Sequence, residues 1–542
     1  MAAINPPIGR AGIAVPLRET LARARGLHLD YKWQVLLCSV VGTFMIMLDS
    51  TIVNVALPKI ATIFGVSVSS AQLMLTGYML ALAVIIPATG YLSDTFGMKR
   101  LYLITMLLFT GGSALCALAW DNNSLIAFRV VQGLGGGMMS PLGMTMLFKT
   151  VPPSERNTVM GFYGLPLILA PVLGPTVGGY IVEYLDWRAI FTLNVPIGLF
   201  GIFLGARLLR ESERIKGLRF DWRGFVLSAV GFASLLLGFS DAASYGWMDT
   251  GVLVRFAVGT IATLAWIWVE VTDPQPLLDL RLFKDPVFSI AMVVNFVLTA
   301  GLFGAQLLLP VFLQSYRGLG AAESGVLTMW QALAMLPAMP IVGRLVDRFG
   351  ARPMLLIGMP LVALTTWQFT ALSLDTPDNT LRIWLALRGV TLGMVMMPAM
   401  TTAMNAVPMH LMSRASSLTN VARQVFGSFG TAIFVTLLQS RTADHYNVLA
   451  QTVTPDSVPV QQMLAQVQQW VATQGGTVAQ AQAMGMLALV RNLQLTASVM
   501  AFDDVFRITA LMTLLALVPS FFLRATRPAA GPGALPRIPM GE

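Results

Sequence analysis

GYLSDTFGMKR, residues 90–100, returns in the second half of the chain as GRLVDRFGAR, residues 343–352. Each copy is a Gly-x3-Asp-x2-Gly loop that ends in basic residues and follows a long apolar run. Glycine permits the tight turn and the close approach of helices. Two apolar runs after each loop an arginine stands near the far end of a helix, Arg129 in the first half and Arg388 in the second. The chain therefore reads as two copies of one helical unit.

The 542 residues are 56% hydrophobic and 11% charged, with a mean hydropathy of +0.71. Soluble domains carry roughly 25% charged residues. Apolar runs of about 20 residues, each long enough to cross a bilayer as a helix, recur from Trp33 to Leu523. The weak ten-residue alternation of a spanning barrel is absent from the sequence. The fold class is an all-α membrane protein. Fourteen transmembrane helices are expected, over about 34–57, 72–92, 101–120, 124–148, 158–182, 189–209, 224–241, 251–270, 287–314, 324–345, 353–373, 382–407, 417–438 and 502–523.

The net charge of +9 raises a nucleic-acid reading, but the basic residues sit in alternate short loops, which is a mark of membrane topology. With the N-terminus inside, Arg18, Arg23, Arg25, Lys32, Lys99, Arg100, Lys149, Arg156, Arg207, Arg210, Arg214, Lys216, Arg219, Arg223, Arg281, Lys284, Arg344, Arg348, Arg352, Arg524 and Arg527 are among those that fall inside. Lys59, Arg188, Arg255, Arg317, Arg382, Arg441 and Arg491 fall outside. Both termini are then cytoplasmic. Residues 1–32 form an N-terminal tail, 33–210 the first six-helix bundle, 211–285 a linker with two inserted helices, 286–525 the second bundle and 526–542 a C-terminal tail. A long outside loop, 439–501, contains two helical stretches at about 457–473 and 477–500. It reads as a solvated cap or as a docking surface for a periplasmic partner. Cys38 and Cys116 both lie in apolar spans, so neither a disulfide framework nor a metal site is expected.

Asp49 carries the clearest chemistry. It lies inside the first span, in LDSTIVNVALP, residues 48–58. A carboxylate at that depth is costly and marks a functional site. Burial favours its neutral form and a nearby cation its charged form, so its surroundings decide whether it holds a proton. Arg129 lies at nearly the same depth, within about 5 Å along the membrane normal at 1.5 Å per residue. It is the expected partner, unless it snorkels to the outer interface. Gln132, at i+3, shares its face. Asn54, Gln132, Arg388 and Arg423 are candidate cavity-lining residues. For Arg388 and Arg423, carbonyl binding, inter-helix contacts and attraction of an anionic substrate group stay open. Gly90, Asp94, Gly97, Arg100, Asp347 and Arg348 form either a cytoplasmic gate or simple tight turns. In GLPLILAPVLGPTVGG, residues 164–179, prolines bend a helix, and Gly174 and Gly178 form a small-x3-small face for close packing. There is no Gly-x4-Gly-Lys-Ser/Thr phosphate loop, and no protease or esterase motif, so an enzyme is not expected.

These segments together resemble the fourteen-span drug:proton antiporters of the major facilitator superfamily, of the EmrB/QacA type. The resemblance rests on residues 48–58, on 90–100, on Arg129 with Gln132, Gly133 and Gly135, on 164–179, on Trp187-Arg188 with Asn194 to Gly198, and on SSLTNVAR at 416–423. It implies two six-helix bundles plus two inserted helices, and export of small hydrophobic or amphipathic compounds in exchange for protons. Asp49 and Arg129 would couple the proton, Asp94 would latch the cytoplasmic side, and Gly174, Pro175, Gly178 and Gly179 would pack the exchange-mode helix. Protons would be the coupling ion, with no other cofactor. The implied setting is the cytoplasmic membrane of a bacterium, with a membrane-fusion protein and an outer-membrane channel as partners where an outer membrane exists. The family also exports siderophores, metabolites and lipids. A non-transporting receptor or scaffold on the same fold is the alternative of a different class.

Overall fold

The computed structural model describes residues 29–452, 458–474 and 477–523. The C-terminal tail 526–542, most of the N-terminal tail 1–32, and Arg524 and Arg527 lie outside the described residues. Among the described residues the secondary structure is helical throughout, with no strand.

The first half comprises α1 (Tyr31–Phe64), α2 (Val68–Ile85), α3 (Ala88–Phe96), α4 (Met98–Ala117), α5 (Asn122–Thr150), α6 (Arg156–Tyr163), α7 (Leu165–Tyr184) and α8 (Asn194–Leu208). Two antiparallel helices follow, α9 (Trp222–Tyr245) and α10 (Thr250–Thr272), packed on each other. The second half comprises α11 (Pro286–Val311), α12 (Ala321–Phe349), α13 (Ala351–Trp367), α14 (Asp378–Asn405), α15 (Met412–Thr452), α16 (Val458–Thr473) and α17 (Val478–Leu515). Eleven helices among the described residues are long and apolar enough to cross a membrane; α5, α11 and α17 are not among them.

The repeat seen in sequence is a repeat in space. Gly97 ends α3 at φ 91° and Gly350 ends α12 at φ 87°, a backbone conformation that suits glycine. In both loops an Asp three residues earlier faces the other half of the molecule. Across the seam α12 packs on α6 and α7, while α15 packs on α3 and α5. Helix α9 covers the outer side of that second seam, against α2 and α15.

Three expectations are corrected. The span at 72–92 is two helices, broken between Ile85 and Ala88 where Pro87 removes a backbone donor. The span at 158–182 is likewise two, α6 and α7, parted at Gly164. The segment 439–501 is not a loop carrying helices: α15 runs unbroken to Thr452, and α17 runs unbroken from Val478 to Leu515. Two helices extend beyond the bundle, with α16 packed on α17.

Candidate functional site

Asp49 lies on α1 with 1% of its surface exposed, and Arg129 and Gln132 on α5 with none. A buried charge is tolerated only when paired and hydrogen-bonded, and here both conditions hold. Arg129 Nη1 donates to Asp49 Oδ2 at 2.6 Å. Gln132 Nε2 donates to Asp49 Oδ1 at 3.0 Å, and Asn194 Nδ2 to the same oxygen at 2.7 Å. Gln132 also accepts from Arg129 Nη1 at 2.6 Å. Ser113 on α4 accepts from Gln132 at 2.5 Å and from Asn194 at 3.3 Å. Three donors thus converge on one carboxyl group.

The guanidinium is held on its other side by rings. The Tyr78 ring centroid lies 4.0 Å from the Arg129 Cζ and that of Phe191 at 5.7 Å, as cation–π attraction favours. Arg129 Nε and Nη2 and the Tyr78 hydroxyl are buried without hydrogen-bond partners. The pair is thus fixed on its carboxylate side and underused on its cation side. An arginine in that state has donors ready for a second acceptor.

Helix α7 bears directly on this site. A Cβ on Gly174 would lie 2.1 Å from Thr51 Oγ1, and one on Gly178 would lie 3.2 Å from Ile52 Cγ2. Thr51 and Ile52 follow Asp49 on α1, so the small-residue face seats the helix that carries the carboxylate. Gly179 faces open space. Pro175 is half-buried within α7, which stays helical through it.

At the basic-loop end the two equivalent aspartates each reach the start of a helix in the opposite half. Asp347 accepts from Asn157 N at 3.2 Å, Asn157 Nδ2 at 2.7 Å, Thr158 N at 3.0 Å and Thr158 Oγ1 at 2.7 Å. A carboxylate at a helix N-terminus is favoured by the orphan N–H groups and the dipole. Asp94 accepts from Ser413 Oγ at 2.8 Å, and Lys149 Nζ lies 3.4 Å from the same oxygen. The first glycine of each loop allows this approach: a Cβ on Gly343 would lie 2.5 Å from the Asn157 carbonyl oxygen, and one on Gly90 would lie 3.1 Å from that of Ser413. Arg156 donates across the seam to Asn405 at 2.9 Å, and Thr401 to Asn157. Arg100 pairs loosely with Glu211 at 3.5 Å on the surface, a contact worth little. Arg348 is exposed beside Phe349.

The four candidate lining residues separate. Gln132 belongs to the Asp49 network. Asn54 is exposed and donates to Ser50 O at 3.1 Å. Arg388 is 4% exposed, has its Nε sealed without a partner and lies over the Phe369 ring at 5.4 Å. Arg423 is half-buried at the seam, where it donates to Ser140 Oγ and Asn420 Oδ1. Sequence reasoning gave no role to Asn194, Ser113 or Tyr78. Asn194 carried a signal, as a lone amide opening an apolar run; Ser113 and Tyr78 carried none. Glu270, wholly buried on α10, accepts from Trp266 Nε1 at 2.9 Å and Leu278 N at 3.1 Å.

The model of the family described as Major Facilitator Superfamily matches residues 39–431. The chain is 36% identical over 487 residues to YhcA, an MFS-type transporter of Bacillus subtilis (strain 168), covering 90% of this chain and 92% of that protein. It is 36% identical over 428 residues to the multidrug resistance protein B homolog of Mycobacterium tuberculosis (strain ATCC 25618 / H37Rv), covering 77% of this chain and 79% of that one. Among solved structures it is similar in fold to the proton:xylose symporter XylE, with a TM-score of 0.59 at 15% identity, over 92% of this chain and 97% of that chain.

Proposed function

The chain belongs to the major facilitator superfamily, and from that membership and the buried pair we propose that it is a proton-coupled antiporter of the fourteen-span EmrB/QacA type. It exports small hydrophobic or amphipathic compounds across the cytoplasmic membrane by alternating access. The fourteen spans are the eleven apolar helices with α5, α11 and α17 added. Both termini are cytoplasmic, so the basic-loop seam is the cytoplasmic seal. Protons are the coupling ion.

The observation that carries the reading is Asp49 with its arginine. A wholly buried carboxylate needs its donors. A proton on Asp49 removes the charge that holds Arg129, and the partnerless donors of Arg129 are then free to turn to another acceptor. The pair thus has two arrangements, and each favours a different position of α1 against α5. Helix α7 follows α1 through Gly174 and Gly178, and α6, on the same span, carries Asn157 and Thr158 at the seam. Protonation thereby biases the seal, as coupling between two sites requires. A scaffold would have no use for a titratable pair so placed. The names of several relatives, which refer to resistance against drugs, support an exported substrate.

Uptake of ethidium into everted membrane vesicles tests the reading. An imposed gradient, acid inside, should drive accumulation, and a protonophore should abolish it. Accumulation that ignores the gradient counts against proton coupling.

A further inference from the structure

The inserted pair α9–α10 carries two carboxyl groups that the proposed cycle does not use. Glu270 stands near the end of α10 with none of its surface exposed, and Asp221 caps the start of α9 with 8% exposed. Three of their four oxygens have donors. Glu270 Oε1 accepts from Trp266 Nε1 and Oε2 from Leu278 N, while Asp221 Oδ1 accepts from Gly224 N at 2.8 Å. The fourth, Asp221 Oδ2, is buried without a partner. A Cβ on Gly224 would run into Asp221 Oδ2 and lie 3.0 Å from Glu270 Oε1, so both oxygens face the space that this glycine leaves free. They stand within about 5 Å of each other, where like charges oppose one another's ionisation. One proton between them supplies the donor that Asp221 Oδ2 lacks and removes one of two buried charges.

The surroundings offer one free cation. Arg414 of α15 is half-buried, its field reaches Glu270, and it takes part in none of the ion pairs among the described residues. The other charged groups nearby are engaged or exposed. Arg281, on the short helix Leu280–Lys284 that packs on α10, donates to the carbonyls of Asp273 and Val271. Asp273 accepts from Gln275 N and Asp279 from Arg281 N, and Arg219 and Arg223 are exposed. Arg414 follows Ser413, which donates to Asp94, and its Cα would lie 3.3 Å from a Cβ on Gly90. It sits where α15 of the second half closes on α3 of the first, while α9 packs on α2 of the first half.

We propose that Asp221 and Glu270 together bind one proton, exchanged with the cytoplasm, and that its release ties the inserted pair to α15 through Arg414. Release adds a second negative charge to the pair and strengthens its pull on Arg414. That tie joins the halves, because α9 is packed on the first and Arg414 belongs to the second. A falling cytoplasmic pH refills the site and loosens the seal on its α3–α15 side. The inserted helices are then a pH sensor apart from Asp49. This uses the proposed cytoplasmic placement of the basic-loop end and nothing else of the export reading.

Infrared difference spectra of the detergent-purified full chain read the proton, as the carbonyl stretch of a protonated carboxyl group. Wild type at neutral pH should show one such band that Glu270→Gln and Asp221→Asn each remove. A band that survives Asp221→Asn would show that the proton is not shared, and spectra alike in wild type and both variants would show that none is held; either overturns the proposal. Spin labels at Phe96→Cys and Met409→Cys, exposed positions on the two sides of that seam, read the tie as a distance, with Cys38 and Cys116 buried. The distance should lengthen as the pH falls through neutrality. In Glu270→Gln and in Arg414→Gln it should be long at every pH in that range. A distance that ignores pH in the parent, or that still follows pH in these variants, overturns the proposal. Asp49→Asn should keep both the band and the response. Their loss there would assign the proton to the coupling pair and overturn the separate sensor, whereas failure of proton-driven export alone would leave the sensor standing.

Discussion

At the scale of single residues, Asp49 survives inside an apolar bundle because Arg129 pairs with it. Breaking a buried pair from one side costs about 3–5 kcal/mol, because the other charge is left alone. Arg129→Ala should therefore lower the thermal unfolding midpoint more than the double variant Asp49→Asn/Arg129→Gln, which leaves no charge behind. The reverse order would mean that the two side chains are not a pair. Asn194 is tested differently. Asn194→Leu removes one donor from Asp49 Oδ1 and should displace the pH profile of efflux; a packing role alone would lower the rate by the same factor at every pH. Asp49 and Arg129 could be matched from sequence because depth along a helix follows from residue count. The donors Asn194 and Ser113 could not, since a neutral polar side chain in an apolar run has many equivalent partners until the helices are placed. Arg388 and Arg423 were indistinguishable as letters. Packing separates them: one is sealed over Phe369 and the other is half-buried at the seam, bonded to Ser140 and Asn420.

At the scale of elements, the repeated loop is a helix stop that delivers an aspartate to the start of a helix in the opposite half. Asp347 takes four donors there and Asp94 takes a serine and a lysine. Asp347→Asn should weaken the seal by up to about 2 kcal/mol, the upper range of a helix-terminal charge effect. Gly343→Leu should weaken it further, since its Cβ would meet the Asn157 carbonyl and overpacking costs about 1–3 kcal/mol. A cysteine placed at Thr158 reports both, by its rate of labelling in everted vesicles. Rates equal to the parent in both variants would show that these contacts do not close that side. The Gly-x3-Asp-x2-Gly spacing exposed the loop and its repeat, but not the partners, which come from distant sequence. Helix breaks at Pro87 and Gly164 were hidden because hydropathy runs on through them. The continuation of α15 and α17 past the bundle was hidden for the opposite reason, because polar residues there mask an unbroken helical backbone.

At the scale of the molecule, two bundles meet along two seams and the inserted pair covers one of them through α9. We propose from the charge pattern that the basic-loop end is cytoplasmic. Single cysteines on α16 should then react with an impermeant thiol reagent in intact cells, and cysteines in 211–221 should not; the opposite pattern would reverse the topology. The extended helices α15 and α17 with α16 are our candidate surface for a membrane-fusion protein in a bacterium with an outer membrane. Replacing about 460–495 by a short linker should reduce co-purification of that protein and cellular resistance, and spare transport in reconstituted vesicles. Undiminished pull-down would place the docking surface elsewhere. We propose that Asp49 exchanges a proton for each cycle of export, and proton and ethidium fluxes recorded together in proteoliposomes test this. Opposite fluxes in a fixed ratio are expected for wild type, and for Asp49→Asn a folded protein in which a proton gradient no longer drives ethidium. Gradient-driven ethidium flux that persists unchanged in Asp49→Asn would contradict it.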